Sequence, residues 1–406
     1  MNDVMDLNQI KMVAAPKPGL GDRPAFLDPE QLEVVHRFHR SIPGYMRTPL
    51  HELSGYAKKC GVRSVLVKDE AERFGLRAFK GLGGSYAIFR VVCEELGLDP
   101  MTTTFEELKS EKYREPVSKM TFITTTDGNH GKGVAWASGL LGCKSYVYMP
   151  RGSVEARAQA IRDAGQAEVT ITDLPYDDCV RYTAELAEKN RWYLVQDTSW
   201  QGYEKIPQWI IQGYTTMVCE ALDQMQEKGY PRPTHVFLQA GVGAMAGSML
   251  GTLSNVFVQD LPVVSIVEPT EVACIFESAR QGDDQAHKAT GSEITIMAGL
   301  NCAEPCTITW PILRDFASYY FACADEIAAH GMRLYAAPEA GDPAVISGES
   351  GAVTMGLLSR LLESEAIEPV RKKLGLDEKS VILLFNTEGD TDPENYQRIV
   401  SGKEHP

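Results

Sequence analysis

Short apolar, β-branched runs alternate with amphipathic stretches along most of the chain. Val65, Leu66 and Val67 make a run of the kind a buried strand needs, and similar runs return at 120–126, 145–149, 168–172 and 192–195. Between them, apolar positions recur at helical spacing over 130–141, 154–164 and 176–189. A long helical pattern at 206–227 is followed by predicted strands at 235–239, 263–267 and 380–385. Upstream, Leu32, Val35 and Phe38 mark one face of a helix over 29–40, and Tyr86, Ile88, Val91, Val92 and Leu96 mark another after Gly84. Residues 1–28 read as an irregular arm, and the polar stretch 100–119 reads as a surface insertion.

Strands and helices alternating at this spacing imply right-handed crossovers and parallel sheets. The expected class is therefore α/β: two domains, each an open, mostly parallel twisted sheet flanked by helices. The expected bounds are 1–81 and 198–406 for a large, cofactor-binding domain and 82–197 for a small α/β domain.

Composition narrows the partners. The 406 residues suit two domains, and 44% hydrophobic with 23% charged residues is ordinary for a soluble globular protein. A net charge of -15 argues against nucleic acid or an anionic membrane as the main partner, so an anionic small molecule must be held by local groups. No apolar run approaches the length of a bilayer span, and residues 1–24 lack the basic start and apolar stretch of a secretory signal. The expected compartment is the cytoplasm. The nine cysteines show no CxxC pair and no ligand spacing for zinc, so no metal is expected. A redox bond involving Cys302, Cys306 or Cys274 stays open.

Candidate chemistry lies in loops at strand ends, where open parallel sheets bind ligands. In Arg73-Phe74-Gly75-Leu76-Arg77-Ala78-Phe79-Lys80-Gly81-Leu82-Gly83-Gly84, one lysine stands between an aromatic residue and three glycines. An amine nucleophile needs a desolvated setting, which Phe79 can supply, and close backbone approach, which the glycines can supply. Thr124-Thr125-Thr126-Asp127-Gly128-Asn129-His130-Gly131 joins a strand to a helix and can cradle a carboxylate or phenolate oxygen. Asp127 can cap that helix or exchange a proton, and both readings stay open here. Gln239-Ala240-Gly241-Val242-Gly243-Ala244-Met245-Ala246-Gly247 can surround a phosphate, and with Glu268 beyond the next strand it also fits a dinucleotide site. Asp197 can pair with a cation or stabilise its own turn. Phe385-Asn386-Thr387-Glu388-Gly389-Asp390-Thr391 offers a hydroxyl, and Ser347-Gly348-Glu349-Ser350 is a small-residue turn before a helix.

The order of these motifs resembles pyridoxal-phosphate enzymes of the tryptophan-synthase-β type, fold type II, which include the serine and threonine dehydratases. The likeness runs from about residue 47 to 392. Within that group, Lys68-Asp69-Glu70, Arg73-Phe74-Gly75-Leu76, the Thr124 to Gly131 loop continued by Lys132-Gly133-Val134-Ala135-Trp136, the glycine loop and Thr387-Glu388-Gly389-Asp390-Thr391 closely resemble the diaminopropionate ammonia-lyase family. Dehydratases usually carry Ser where this chain has Ala78 and Asp127, and the second change implies an added acid/base group.

The resemblance implies pyridoxal 5'-phosphate as cofactor. It assigns Lys80 to covalent attachment, Asn129 to the ring hydroxyl, and Gly241, Val242, Gly243, Ala244, Met245 and Gly247 to the phosphate. Thr387 goes to the ring nitrogen, with Glu349 also at the cofactor. It further implies elimination of ammonia from 2,3-diaminopropionate, with Lys80 serving the L isomer and Asp127 the D isomer. Asp197 would hold the β-ammonium, Thr125, Thr126, Asp127 and Gly128 the α-carboxylate, and the enzyme would be a homodimer. A serine or threonine dehydratase shares this cofactor but takes a β-hydroxyl. A nicotinamide dehydrogenase would use the glycine loop and Glu268 and would have no need of Lys80.

Overall fold

The computed structural model describes residues 1–16 and 18–402. The chain divides into two compact units. The larger takes Met1–Ala25, Arg47–Ala78 and the chain from Met217 onward; the smaller takes Phe26–Met46 and Phe79–Thr216.

Among the described residues, the sheet of the larger unit has eight strands. Five inner strands, Tyr319–Cys323, Val263–Pro269, His235–Gln239, Val381–Asn386 and Ser64–Asp69, lie parallel in that order. Leu383 stands opposite both Val236 and Leu66, all fully buried. Strands covered on both faces read as unbroken apolar runs, which is why these were visible in the sequence. The strand Leu50–Glu52 closes one edge, antiparallel to Ser64–Asp69.

The other edge departs from expectation. Val4–Asp6 and Ile10–Ala14 form antiparallel strands, the second paired with Tyr319–Cys323 so that Met12 faces Phe321. The first part of the expected irregular arm is thus a sheet edge. Ile10, Met12 and Val13 are buried, and their partner strand lies some 300 residues away in sequence.

The sheet of the smaller unit runs Glu168–Ile171, Lys144–Met149, Thr121–Thr125, Tyr193–Leu194, all parallel. The expected surface insertion contains two short helices, Phe105–Lys109 and Glu111–Ser118. The Thr104 hydroxyl caps the first by accepting from Glu107 N–H (3.3 Å), and Phe105, Leu108 and Val117 are buried.

The helix Lys80–Leu96 packs against Asn129–Leu141. A Cβ on Gly133 would lie 2.9 Å from the Lys80 backbone, and one on Gly83 would lie 2.5 Å from the Tyr214 ring. Gly83, Gly84 and Gly133 allow these helices to touch. Residues 79–81 and 198–216, with 26–46, cluster with the smaller unit.

One buried ionic network stands out in the larger unit. Arg73 Nε donates to Glu70 Oε2 (2.7 Å), Arg73 Nη2 to Glu220 Oε2 (2.8 Å), and Lys68 Nζ to the same Glu220 oxygen (2.6 Å). Two cations balance two carboxylates. Burial pushes the Glu220 carboxyl up, but Arg73 and Lys68 bring it down to about 2. The network anchors the segment after Ser64–Asp69, in which Phe74 (φ 54°) and Arg77 (φ 57°) take left-handed backbone. Removing one cation strands a buried carboxylate, so Arg73→Met is expected to lower the unfolding free energy by about 3–5 kcal/mol. Urea denaturation measures this, and a loss below about 1 kcal/mol contradicts the anchoring role.

Candidate active site

Lys80 is the first residue of its helix, and its side chain is only 17% exposed. Its Nζ donates to Asp197 Oδ2 at 2.6 Å and lies 5.3 Å from the centre of the Phe79 ring and 5.8 Å from that of Tyr214. The aromatic desolvation expected from Phe79 is therefore present, with Tyr214 as a second wall.

Asp197 follows the short strand Tyr193–Leu194. Burial pushes its carboxyl up, yet His130 and the Lys80 ammonium bring it down to about 2. When the imidazole is neutral, the charge of Lys80 and its hydrogen bond still hold the carboxyl down. His130 itself is buried, and burial drives its pKa down, against the upward pull of Asp197. Its Nε2 donates to Val195 C=O at 2.7 Å, leaving Nδ1 3.7 Å from Asp197 Oδ2.

The Thr124 to Gly131 loop separates into two sets of groups. Thr125 faces inward: its N–H donates to Gln196 Oε1 (3.0 Å), and its hydroxyl lies 2.9 Å from Thr183 Oγ1 and 3.2 Å from Cys179 C=O. The Thr126 hydroxyl oxygen accepts from Gly128 N–H (2.9 Å) and Gly131 N–H (3.1 Å). The N–H groups of Thr125 and Gly128 are thus engaged within the protein. Thr126 keeps its hydroxyl proton to donate. Asp127 is half-buried, and desolvation pushes its carboxyl up to about 6, with Arg157 opposing and Asp197 adding to the rise. Asn129 opens the helix Asn129–Leu141 and is half-buried.

The remaining candidates lie in the larger unit. The strand His235–Gln239 ends in a turn where Gly243 has φ 88°, followed by the helix Ala244–Val256. Ala240 N–H donates to Val267 C=O and Gly247 N–H to Gly243 C=O, while the N–H groups of residues 241–246 find no acceptor among the described residues. Six unengaged donors at a helix start suit a phosphate.

Gln239 Nε2 donates to Phe385 C=O (2.8 Å) and to Thr387 Oγ1 (3.0 Å), which leaves the Thr387 hydroxyl proton to be donated elsewhere. The Glu349 carboxylate accepts from Asn395 Nδ2. Buried Glu388 accepts from Ser350 N–H (3.1 Å). Glu388 stood inside a motif singled out in the sequence, but nothing local distinguished it from Glu349.

Glu268 settles the dinucleotide alternative. It is fully buried and accepts from Ile275 N–H (2.8 Å) and Phe276 N–H (2.6 Å). Burial pushes its carboxyl up to about 8 against those two donors, and its oxygens cap the helix Cys274–Gln281 instead of facing a ribose. All nine cysteines are free thiols. No helix among the described residues is long and apolar enough to cross a membrane.

Comparison with known proteins shows the family. The family model described as pyridoxal-phosphate dependent enzyme matches residues 42–373. The diaminopropionate ammonia-lyase of Salmonella typhimurium is 46% identical over 385 residues, 95% of this chain and 95% of that protein. The crystal structure of holo diaminopropionate ammonia lyase from Escherichia coli superposes with a TM-score of 0.90 at 45% identity, covering 99% of each chain. The same Escherichia coli enzyme in complex with an aminoacrylate-PLP azomethine reaction intermediate gives 0.89 at 44% identity, again covering 99% of each chain. With a family model over residues 42–373 and a relative 46% identical over 95% of both chains, the chain belongs to the pyridoxal-phosphate-dependent enzyme family and, within it, to the diaminopropionate ammonia-lyases.

Proposed function

We propose that this protein converts both isomers of 2,3-diaminopropionate, with water, to pyruvate and two molecules of ammonia. The observation that carries this reading is the buried pair of Lys80 and Asp197 at 2.6 Å, an amine matched to a carboxylate that stays ionised. Pyridoxal phosphate, when bound, supplies the electron sink for the charge left at the α-carbon. The groups on this chain suit it. Lys80 would offer the amine that attaches it, the N–H groups from Gly241, Val242, Gly243, Ala244 and Met245 up to the turn of Gly247 would hold its phosphate, Asn129 would meet its ring hydroxyl, and Thr387 would donate to its ring nitrogen. Glu349, engaged by Asn395, supports this set from its helix start.

The chain's own residues then bind and move protons. Thr126, with the backbone beside Asp127 and Gly128, receives the α-carboxylate, and Thr125 holds that loop to Gln196 from behind. Lys80 Nζ accepts the α-proton of the L isomer. Asp127, with a carboxyl near 6, is ionised at neutral pH and still able to carry a proton, which suits a base for the D isomer. Asp197 holds the cationic β-amine until it departs as ammonia. A dehydratase substrate with a β-hydroxyl brings Asp197 a hydrogen-bond donor but no cation. The same reading includes a homodimer working in the cytoplasm, supported by the family resemblance and testable by sedimentation as a mass of two chains.

The direct test compares pyruvate release from 2,3-diaminopropionate and from serine. The diamine is expected to win by a factor of about 100 or more in kcat/KM. Equal rates, or a preference for serine, would reassign the protein as a dehydratase.

Asp127→Asn is expected to lower kcat on the D isomer by about 100-fold or more while changing the L isomer by less than about 3-fold. Equal losses on both isomers contradict the division between Asp127 and Lys80. In the unmodified enzyme, kcat/KM for the D isomer should fall as pH drops through about 6, because protonation removes the base. A D-isomer profile flat from pH 7 to 5 contradicts that role.

Asp197→Ala should raise KM for the diamine by about 10-fold or more, with a smaller effect on any residual serine reaction. An unchanged diamine KM refutes the proposed contact.

A further inference from the structure

His130 is a buried titratable group that the reaction scheme above does not use. Its ring is fixed at one end, because Nε2 can meet the Val195 carbonyl at 2.7 Å only by donating a proton. The other nitrogen, Nδ1, has no hydrogen-bond partner and points at Asp197 Oδ2 from 3.7 Å. A neutral imidazole in this pose sets a lone pair against a carboxylate oxygen. That arrangement is tolerable while Lys80 Nζ donates to the same oxygen at 2.6 Å, and it becomes unfavourable once that ammonium is gone.

Lys80 must leave Asp197 for its nitrogen to bond the cofactor, and the inference rests on that part of the proposed function. Asp197 is then a buried carboxylate with the His130 imidazole in reach, its Nδ1 3.7 Å from Oδ2.

We propose that His130 is a proton-exchanging counter-cation for Asp197, taking a proton at Nδ1 whenever no ammonium occupies Asp197 and releasing it when the β-ammonium of the substrate arrives. The proton comes from solvent and returns there, and no bond other than N–H is made or broken. When ammonia departs, Asp197 loses its cation again and His130 recharges. His130 is a positioning residue in this scheme: it keeps Asp197 ionised and oriented between substrates.

The charged groups bearing on His130 are Asp197, in the loop after Tyr193–Leu194, and Lys80, on the helix packed against its own. Arg157, on the helix Glu155–Gly165, acts on Asp127 instead. Asp197 draws the imidazole towards its charged form and Lys80 opposes it, so removing the ammonium shifts the balance towards the cation.

Imidazole NMR of the ¹⁵N-histidine-labelled protein tests this, with the His130 signals assigned by their loss in His130→Gln. In the holoenzyme, Nδ1 of His130 should titrate higher than in the cofactor-free protein by about one pH unit or more, and Asp197→Asn should abolish the difference. Equal titration in the two forms, or a difference that survives Asp197→Asn, overturns the proposal.

A second readout does not depend on the His130→Gln variant folding. At a pH where His130 is charged, mixing the holoenzyme with 2,3-diaminopropionate in weak buffer should release close to one proton per site before pyruvate appears, and mixing with serine should release none. Proton release equal for the two amino acids overturns the proposal. If pyruvate still forms from the diamine while these signals fail, this inference alone is wrong; if no pyruvate forms, the proposed function is wrong.

Discussion

Two opposite charges, on Lys80 and Asp197, sit 2.6 Å apart with little solvent around either. In such a setting an isolated charge is costly, so neither group can lose its partner without a replacement. That constraint orders the chemistry of the smaller unit. In the proposed reaction the amine that becomes a nucleophile starts out held by the carboxylate that later holds a leaving amine, so freeing one prepares the other. With Lys80 beside it, the Asp197 carboxyl is held well below the usual carboxylate range, and in the proposed reaction a substrate carrying a second ammonium takes the place that Lys80 vacates.

Helix packing sets where this pair can stand. The backbone around Lys80 touches the helix Asn129–Leu141 at Gly133, and the Lys80 helix touches Tyr214 at Gly83. A methyl group at either glycine would meet backbone or a ring at less than 3 Å. Close approach brings the start of one helix, carrying Lys80, to the start of another, carrying Asn129 and His130. Lys80 and Asp197, 117 residues apart in sequence, can then meet. Asp127 lies just before that second helix start and feels Asp197 directly, which with burial raises its carboxyl into the range where a proton can be exchanged near neutrality.

Features with a local cause were legible in the sequence. The inner parallel strands are buried on both faces, so their apolar runs could be read without knowing their neighbours. The glycine loop and the Asn129-His130 helix start carry residue types that strand-to-helix turns demand. What could not be read depends on partners far along the chain. The edge strand Ile10–Ala14 exists because Tyr319–Cys323 offers it a ladder. Thr125 turns inward because Gln196, 71 residues away, accepts its N–H. Glu268 looked like a ribose-binding acid by spacing alone, yet it caps a helix that begins six residues later. Gly83 and Gly84 read in the sequence as room beside Lys80, and the fold sets both against other helices. His130 offered only the signal of its position beside Asn129, and its relation to Asp197 belongs to the tertiary fold.

The central claim is that the nitrogen of Lys80 carries the cofactor. Borohydride reduction of the holoenzyme, followed by proteolysis and mass spectrometry of the peptides, tests it most directly. The account predicts loss of the yellow colour and a single pyridoxyl group fixed to the peptide that contains Lys80. A pyridoxyl group on a different lysine, or a reduced protein with none, contradicts it.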